Sequence, residues 1–120
     1  MQIQRHTIVF DAPDLAAESG FWASVLGGSV ETSDDWHTVR GPAGDAVVAV
    51  QLAPGLVAPD WPDGAPQQIH LDLFVEDIAT AHAEILGLGA RLLQDADRSA
   101  TEGFVVYADP AGHPFCLCWG

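Results

Sequence analysis

Hydrophobic and polar positions follow the same pattern twice along this chain. Residues 7–14 and 70–77 are mostly apolar runs that each end in an Asp seven positions after their start and precede a helix-like segment. Further on, residues 41–44 and 109–112 are similar turn sequences that each precede an apolar run. The first pair is offset by 63 residues (70 − 7) and the second by 68 (109 − 41). Because a repeat of this length cannot bury its apolar face alone, we predict two units that pack together, with a ligand in the groove between them.

Each unit is predicted to fold in the order β-α-β-β-β. In the first unit, residues 1–52, we expect strands at 3–11, 29–32, 36–40 and 46–52 and a helix from Asp14 to the Gly27–Gly28 pair. In the second unit, residues 69–120, we expect strands at 69–75, 90–94, 103–108 and 113–119 and a helix at 77–88. Asp14 and Asp77 are favourable N-caps, and glycine is a common helix terminator. Four prolines between residues 53 and 68 exclude a central strand or a helix there, so this segment is predicted to be a linker.

Three segments together carry a family resemblance. They are residues 13–28 (PDLAAESGFWASVLGG), 70–90 (HLDLFVEDIATAHAEILGLGA) and 109–120 (DPAGHPFCLCWG). In their order, spacing and duplication they resemble the glyoxalase/bleomycin-resistance/dioxygenase superfamily, also called the vicinal oxygen chelate proteins, and in particular its glyoxalase-like branch. The resemblance implies a single α+β domain over residues 1–120, built from two βαβββ modules. Their sheets would form an open, cup-shaped mixed β-barrel with the helices outside and the ligand site in the cup.

Strand alternation indicates which side chains would face such a cup. If Ile8 and Phe10 pack beneath the first helix, the alternate residues Thr7, Val9 and Asp11 face the cup. The repeat carries this assignment to His70, Asp72 and Phe74 in the second unit. In the last strands we expect Val48 and Cys116 on the cup side. His37 could face either way, whereas Trp36 and Trp61 come from a strand end and from the linker. The predicted ligand-binding residues are Thr7, Asp11, Trp36, His37, Val48, Trp61, His70, Asp72, Phe74 and Cys116.

The resemblance also implies where a metal would bind. Metal-dependent members place ligands at four points that fall here on Thr7, Val48, His70 and Cys116. Only His70 is a usual ligand, Cys116 stands where Glu is common, and Val48 has no ligand atom. Since a stable zinc site needs at least three protein ligands, we expect no cofactor. A divalent metal held by His70 and Cys116 remains as the weaker alternative.

The charge of the chain limits its partners. Four basic residues oppose 17 acidic ones, which gives a formal net charge of −13. Such a surface repels nucleic acid and anionic membranes and attracts cationic small molecules, or serves only to keep the protein soluble. The N-terminal residues lack the basic region and long apolar stretch that are typical of a targeting signal. A cytoplasmic location is therefore expected. Two cysteines two residues apart in a strand predict reduced thiols. We also expect a homodimer, as relatives of this family commonly dimerise.

Two functional hypotheses follow. In the first, the protein binds a small hydrophobic or cationic molecule without metal, as bleomycin-resistance proteins sequester a drug. In the second, it is a lyase, isomerase or dioxygenase that acts on a small organic substrate, with His70 and Asp72 as the candidate catalytic residues. Asp72 lies two residues after His70 and on the same predicted face, where it could fix the tautomer of the imidazole.

Overall fold

The computed structural model describes residues 1–120 and contains two helices and eight strands. In the first half, the elements are β1 (Ile8–Ala12), α1 (Leu15–Leu26), β2 (Ser29–Thr32), β3 (Trp36–Arg40) and β4 (Ala46–Leu52). In the second half they are β5 (Leu71–Phe74), α2 (Ile78–Gly87), β6 (Arg91–Gln94), β7 (Gly103–Ala108) and β8 (Pro114–Trp119). Both halves therefore have the order β-α-β-β-β. The predicted α+β class with two βαβββ modules is confirmed.

Each half forms its own four-stranded mixed sheet. The strand orders are β1-β4-β3-β2 and β5-β8-β7-β6. The first strand of each sheet runs parallel to the last strand, and the remaining pairs are antiparallel. By their internal contacts the residues divide into a first compact unit, Met1–Leu56, and a second, Val57–Gly120. Most of the predicted linker, including Trp61, therefore belongs to the second unit.

The helices begin and end where the capping residues predict. The Asp14 carboxylate accepts a hydrogen bond from the Ala17 backbone N–H at 3.0 Å, and the Asp77 carboxylate accepts one from Thr80 at 3.1 Å. These bonds satisfy backbone donors that have no partner inside the first turn. At the other end of α1, Gly27 adopts φ 65°, a left-handed conformation that glycine takes without strain.

Each helix covers one face of its own sheet. In the first unit, Phe10 of β1 stacks on Trp22 of α1 with ring centroids 5.0 Å apart. In the second unit, His82 of α2 is hydrogen-bonded to the Tyr107 hydroxyl of β7 at 2.7 Å, and Tyr107 stacks on Phe115 of β8. Trp22 and Tyr107 are completely buried. Both side chains therefore belong to the cores of their units.

A β-bulge corrects the predicted facing of Val48. Val39 pairs with Val48 but Arg40 pairs with Ala46, so Val47 is an extra residue without a partner on β3. In the second unit the equivalent ladder is regular, with Tyr107 opposite Phe115 and Ala108 opposite Pro114. A one-residue insertion turns every later side chain to the opposite face. By register, Val48 therefore matches Phe115 and lies on the helix face, whereas Ala49 matches Cys116.

The first strand is shorter than the sequence predicts. The sequence predicts a strand over residues 3–11, but β1 is Ile8–Ala12 and its pairing with β4 starts at Ile8 opposite Val48. The parallel ladder of the second unit starts at the equivalent pair, Leu71 opposite Phe115, although the neighbouring ladder has no bulge there. The other predicted strands agree with the structure within about two residues at each end, the usual uncertainty of element boundaries. None of the helices is long and apolar enough to cross a membrane.

Candidate functional site

The second sheet has one face that α2 does not cover. Residues directly opposite each other on neighbouring strands share a face. Because Tyr107 and Phe115 lie on the helix face, the alternate residues of β5, β7 and β8 lie on the other one, which we call the open face. Two cross-strand rows of the open face are Asp72–Cys116–Val106–Gln94 and Phe74–Cys118–Phe104.

Three groups with metal-ligand or proton-transfer chemistry meet at one end of the open face. The His70 Nε2 and Asp72 Oδ1 atoms are 3.3 Å apart. One ligand atom each from His70, Asp72 and Cys116 lies within 4.8 Å of the other two. The His70 and Asp72 side chains are about half exposed, whereas Cys116 is buried. The structure thus brings together three of the predicted site residues, which we call the His-Asp-Cys cluster.

The thiols in this face are held in their neutral form. Burial, followed by the nearby charge of Asp72 and a hydrogen bond to its carboxylate, raises the pKa of Cys116 to about 12. Burial and Asp72 also raise the pKa of Cys118. The neutral Cys116 thiol therefore donates a hydrogen bond to Asp72, and neither cysteine has the lowered pKa that a nucleophile needs. Both are free thiols, as expected.

The rest of the open face is apolar and partly exposed. Val106, Cys116 and Cys118 form a buried cluster, against which Trp61 and Leu93 pack. Beyond Cys118, Phe74 is 77% exposed and Phe104 is 49% exposed. Two phenylalanines and a tryptophan thus border a patch that has a carboxylate at one end. This combination of apolar area and few polar groups is typical of small-molecule sites.

The first unit places two predicted residues on the corresponding face of its own sheet. Asp11 of β1 is opposite Gln51 of β4, which is opposite Trp36 of β3, so these side chains share a face. Asp11 and Trp36 are exposed. Thr7 directly precedes β1 and is half-buried.

His37 and Val48 lie elsewhere in the first unit. The His37 Nδ1 atom is hydrogen-bonded at 2.8 Å to the hydroxyl of Ser19 on α1. His37 is also opposite Val50, which pairs with Phe10, and all three lie on the helix face. Val48 is only 3% exposed there. Of the two orientations left open for His37, the structure has the one that faces the helix, and the predicted cup-side position of Val48 is wrong.

Sequence reasoning missed Phe104 and Leu93 on the open face. β7 reads GFVVYA, a nearly continuous apolar run, so alternation alone does not say which residues face the helix. Only the pairing of Phe104 with Cys118 places it. Leu93 lies at a register shift between Leu92 and Gln94, which no sequence pattern indicated. The run of alternating residues in β5, by contrast, was enough to place His70, Asp72 and Phe74.

Residues 7–118 match the family described as Glyoxalase-like domain, and the chain belongs to that family. With it goes membership of the glyoxalase/bleomycin-resistance/dioxygenase superfamily. Solved structures have the same fold at low sequence identity. The fosfomycin resistance protein FosX from Mesorhizobium loti has a TM-score of 0.70 at 18% identity, over 100% of this chain and 94% of that chain. FosX from Listeria monocytogenes complexed with Mn(II) and sulfate gives 0.71 at 15% identity, over 100% and 92%.

A glyoxalase/bleomycin resistance protein/dioxygenase from Nocardioides gives a TM-score of 0.62 at 16% identity, over 98% of this chain and 85% of that chain. No curated protein matches the sequence. At these identities the likeness defines the fold and leaves the chemistry to be argued from the residues of this chain.

The residues present fit a thiophilic metal better than manganese. The His-Asp-Cys cluster offers one nitrogen, one oxygen and one sulfur, and sulfur ligands favour zinc, whereas Mn²⁺ favours oxygen. In the first unit, the positions that match His70 and Cys116 in register are Thr7 and Ala49, and Ala49 has no ligand atom. The expectation of no cofactor rested on having only two ligands. Asp72 supplies a third, so the cluster could hold a metal ion.

Proposed function

We propose that the protein binds a small hydrophobic cation on the open face of the second sheet and needs no metal to do so. The observation that carries this proposal is the half-exposed Asp72 carboxylate beside an apolar patch bordered by Phe74, Phe104 and Trp61. An ammonium group would pair with the carboxylate, and aromatic faces attract cations by about 0.5–2 kcal/mol each. The net charge of −13 favours the approach of a cation over that of an anion.

The other residues of the cluster support this role. Cys116 donates its thiol hydrogen to Asp72 and holds the carboxylate in place against the sheet. An imidazole can both donate and accept hydrogen bonds, so His70 could orient a polar group on the ligand. Arg91 lies on the open face because it pairs with Ala108. It belongs to β6, the edge strand on the other side of the sheet from β5, which carries Asp72. Asp72 therefore has no arginine partner in its own row.

The test compares three small aromatic probes of different charge. Benzyltrimethylammonium, benzyl alcohol and benzoate are titrated into metal-free protein in the presence of chelator, with calorimetry and tryptophan fluorescence as readouts. We expect the cation to bind tightest and benzoate not to bind. Asp72→Asn should weaken binding of the cation by about tenfold, equal to 1.4 kcal/mol. Asp63→Asn removes the same charge at an exposed position and serves as the control.

Equal weakening by Asp72→Asn and Asp63→Asn would show that only net charge matters and would overturn the proposed site. Phe104→Ala tests the apolar part, because the residue is half exposed and its loss should leave the fold intact. Unchanged affinity in that variant, together with unchanged affinity in Phe74→Ala, would also overturn it.

An enzymatic role is the second candidate, and the His70–Asp72 contact of 3.3 Å favours it. A carboxylate at this distance can fix the tautomer of an imidazole that transfers protons near neutral pH. A lyase or isomerase of this superfamily would use such a pair on a small organic substrate. Incorporation of solvent deuterium into phenylacetone, a ketone with acidic C–H bonds, tests it. We expect His70→Gln to abolish exchange if the residue is the base, and no exchange by wild-type protein would dismiss this candidate.

We also propose a cytoplasmic homodimer. Each sheet has two outer strands in its own strand order, and unpaired strand edges tend to be covered by another chain or element. The two free, buried thiols suit a reducing compartment. Light scattering over a range of concentrations should give twice the chain mass of 12.7 kDa. A mass of one chain throughout would refute the dimer.

A further inference from the structure

We infer that His70, Asp72 and Cys116 form a zinc-selective site contained within the second unit. This inference goes beyond the binding of an organic cation and does not depend on it. Ligand positions implied by the family resemblance are spread over both modules, and Asp72 is not among them. Here all three donors come from residue 70, strand β5 and strand β8 of one sheet.

The distances suit a small tetrahedral ion. Zinc binds His nitrogen and carboxylate oxygen at about 2.0–2.2 Å and Cys sulfur at about 2.3 Å, so two tetrahedral ligands lie about 3.3–3.6 Å apart. The observed separation of His70 Nε2 and Asp72 Oδ1 is 3.3 Å. Every ligand atom of the cluster lies within 4.8 Å of the others. Small rotations of exposed side chains would bring all three into bonding distance.

The surroundings determine which ion is preferred. Cys116 is 8% exposed and fixed in the central strand β8, so its sulfur cannot swing away in favour of water or another oxygen. An ion that avoids sulfur would have only His70 and Asp72. Manganese is such an ion, whereas zinc accepts nitrogen, oxygen and sulfur together. The cluster itself offers three donors, one of them sulfur, and so lacks the set of oxygen donors that a hard, six-coordinate ion requires.

Cobalt provides a readout that does not depend on catalysis. Co²⁺ in a tetrahedral site with a thiolate ligand has a sulfur-to-cobalt charge-transfer band and intense visible bands. These bands disappear when zinc displaces the cobalt. Binding must also release the proton of the Cys116 thiol, since only the thiolate is a ligand. With one equivalent of Co²⁺, we expect untagged, chelator-treated protein to show the charge-transfer band and to release a proton. Zinc should displace the cobalt, and a large excess of Mn²⁺ should not.

Three variants and one control identify the ligands. Cys116→Ser should abolish the charge-transfer band, and Asp72→Asn and His70→Gln should each weaken binding by at least about tenfold. Cys118→Ser is the matched control, because Cys118 is the other thiol on the same face of β8 and lies outside the cluster. Circular dichroism confirms that each variant is folded.

The inference fails if wild-type protein gives no charge-transfer band, if Cys118→Ser abolishes the band, or if Mn²⁺ competes as well as zinc. These outcomes differ from failure of the proposed function, which is measured with chelator present. A protein that binds benzyltrimethylammonium without metal but gives no cobalt band would retain the first proposal and lose the second.

Discussion

At the level of single residues, burial and the charge of Asp72 together keep the two cysteines in their neutral form. The charge of Asp72 adds to burial in raising the pKa of Cys116 and of Cys118. At neutral pH we therefore expect both thiols to react slowly with a disulfide reagent such as DTNB, because the thiolate is the reactive form. Asp72→Asn removes the nearby charge and should increase the rate at a given pH.

The comparison is with Asp63→Asn, which should leave the rate unchanged because Asp63 is exposed and is not among the groups that raise either pKa. Rapid reaction of both thiols in folded wild-type protein at pH 7 would contradict the burial that the structure shows. Reaction in mild denaturant provides the upper limit of the rate.

Tyr107 makes the stability of the folded protein depend on pH in the alkaline range. Burial raises the pKa of its hydroxyl from 10.0 to about 12. A folded-state pKa above the unfolded one means that the unfolded chain loses the proton first. The stabilising contribution is therefore complete below pH 10 and is lost as the pH rises from 10 to 12. Urea unfolding at a series of pH values should show a loss of stability in this window that Tyr107→Phe reduces.

Single residues also show how far the site could be predicted from sequence. His70, Asp72 and Phe74 were placed on one face because β5 alternates and the period of a strand is two. The predicted face of Val48 is wrong because a bulge at Val47 cannot be recognised within a continuous apolar run. The 3.3 Å contact and the third metal ligand depend on side-chain positions, which alternation does not determine.

At the level of elements, two glycines near α1 should respond in opposite ways to the same substitution. A Cβ on Gly28, between α1 and β2, would overlap the Arg40 carbonyl oxygen, which belongs to backbone and cannot move away cheaply. We expect Gly28→Ala to destabilise the protein by several kcal/mol, within the range of severe overpacking or backbone strain. Gly20 lies inside α1 and a Cβ there meets nothing within 4 Å.

Gly20→Ala should therefore stabilise the protein by about 0.5–1 kcal/mol, the gain in helix propensity. Urea denaturation of the two variants and wild-type protein measures both effects in one series. If Gly28→Ala were neutral, the close approach of residue 28 to β3 would be wrong. If Gly20→Ala were destabilising, the exposed position of residue 20 in α1 would be wrong.

Elements were the easiest scale to predict because each has a local signal. Asp14 and Asp77 cap the helices, and glycines follow them, so the helix ends were found without tertiary information. The order of strands in each sheet, unlike the helix ends, has no local signal. That β1 lies beside β4, and β5 beside β8, follows from pairings between distant residues, which no local pattern encodes. The family resemblance supplied that part.

At the scale of the whole molecule, the repeat was more informative than composition. The offset of the first strands is 63 residues, between Ile8 and Leu71, and that of the last strands is 67, between Val48 and Phe115. The turn motifs predict 68, and the bulge at Val47 accounts for the difference of one. Two units therefore follow from sequence alone, whereas the match of facing residues between them needs the structure.

The net charge of −13 should make stability depend on salt. Like charges repel in the compact state, and salt shortens their range from about 30 Å at 0.01 M to about 3 Å at 1 M. We expect the thermal midpoint to rise as NaCl is raised from 0.01 M to 0.5 M. Because Asp34 and Asp63 are exposed, Asp34→Asn together with Asp63→Asn should raise the midpoint at low salt and flatten its dependence on NaCl. Equal midpoints at both NaCl concentrations would mean that local ion pairs such as Arg40–Glu31 outweigh the general repulsion.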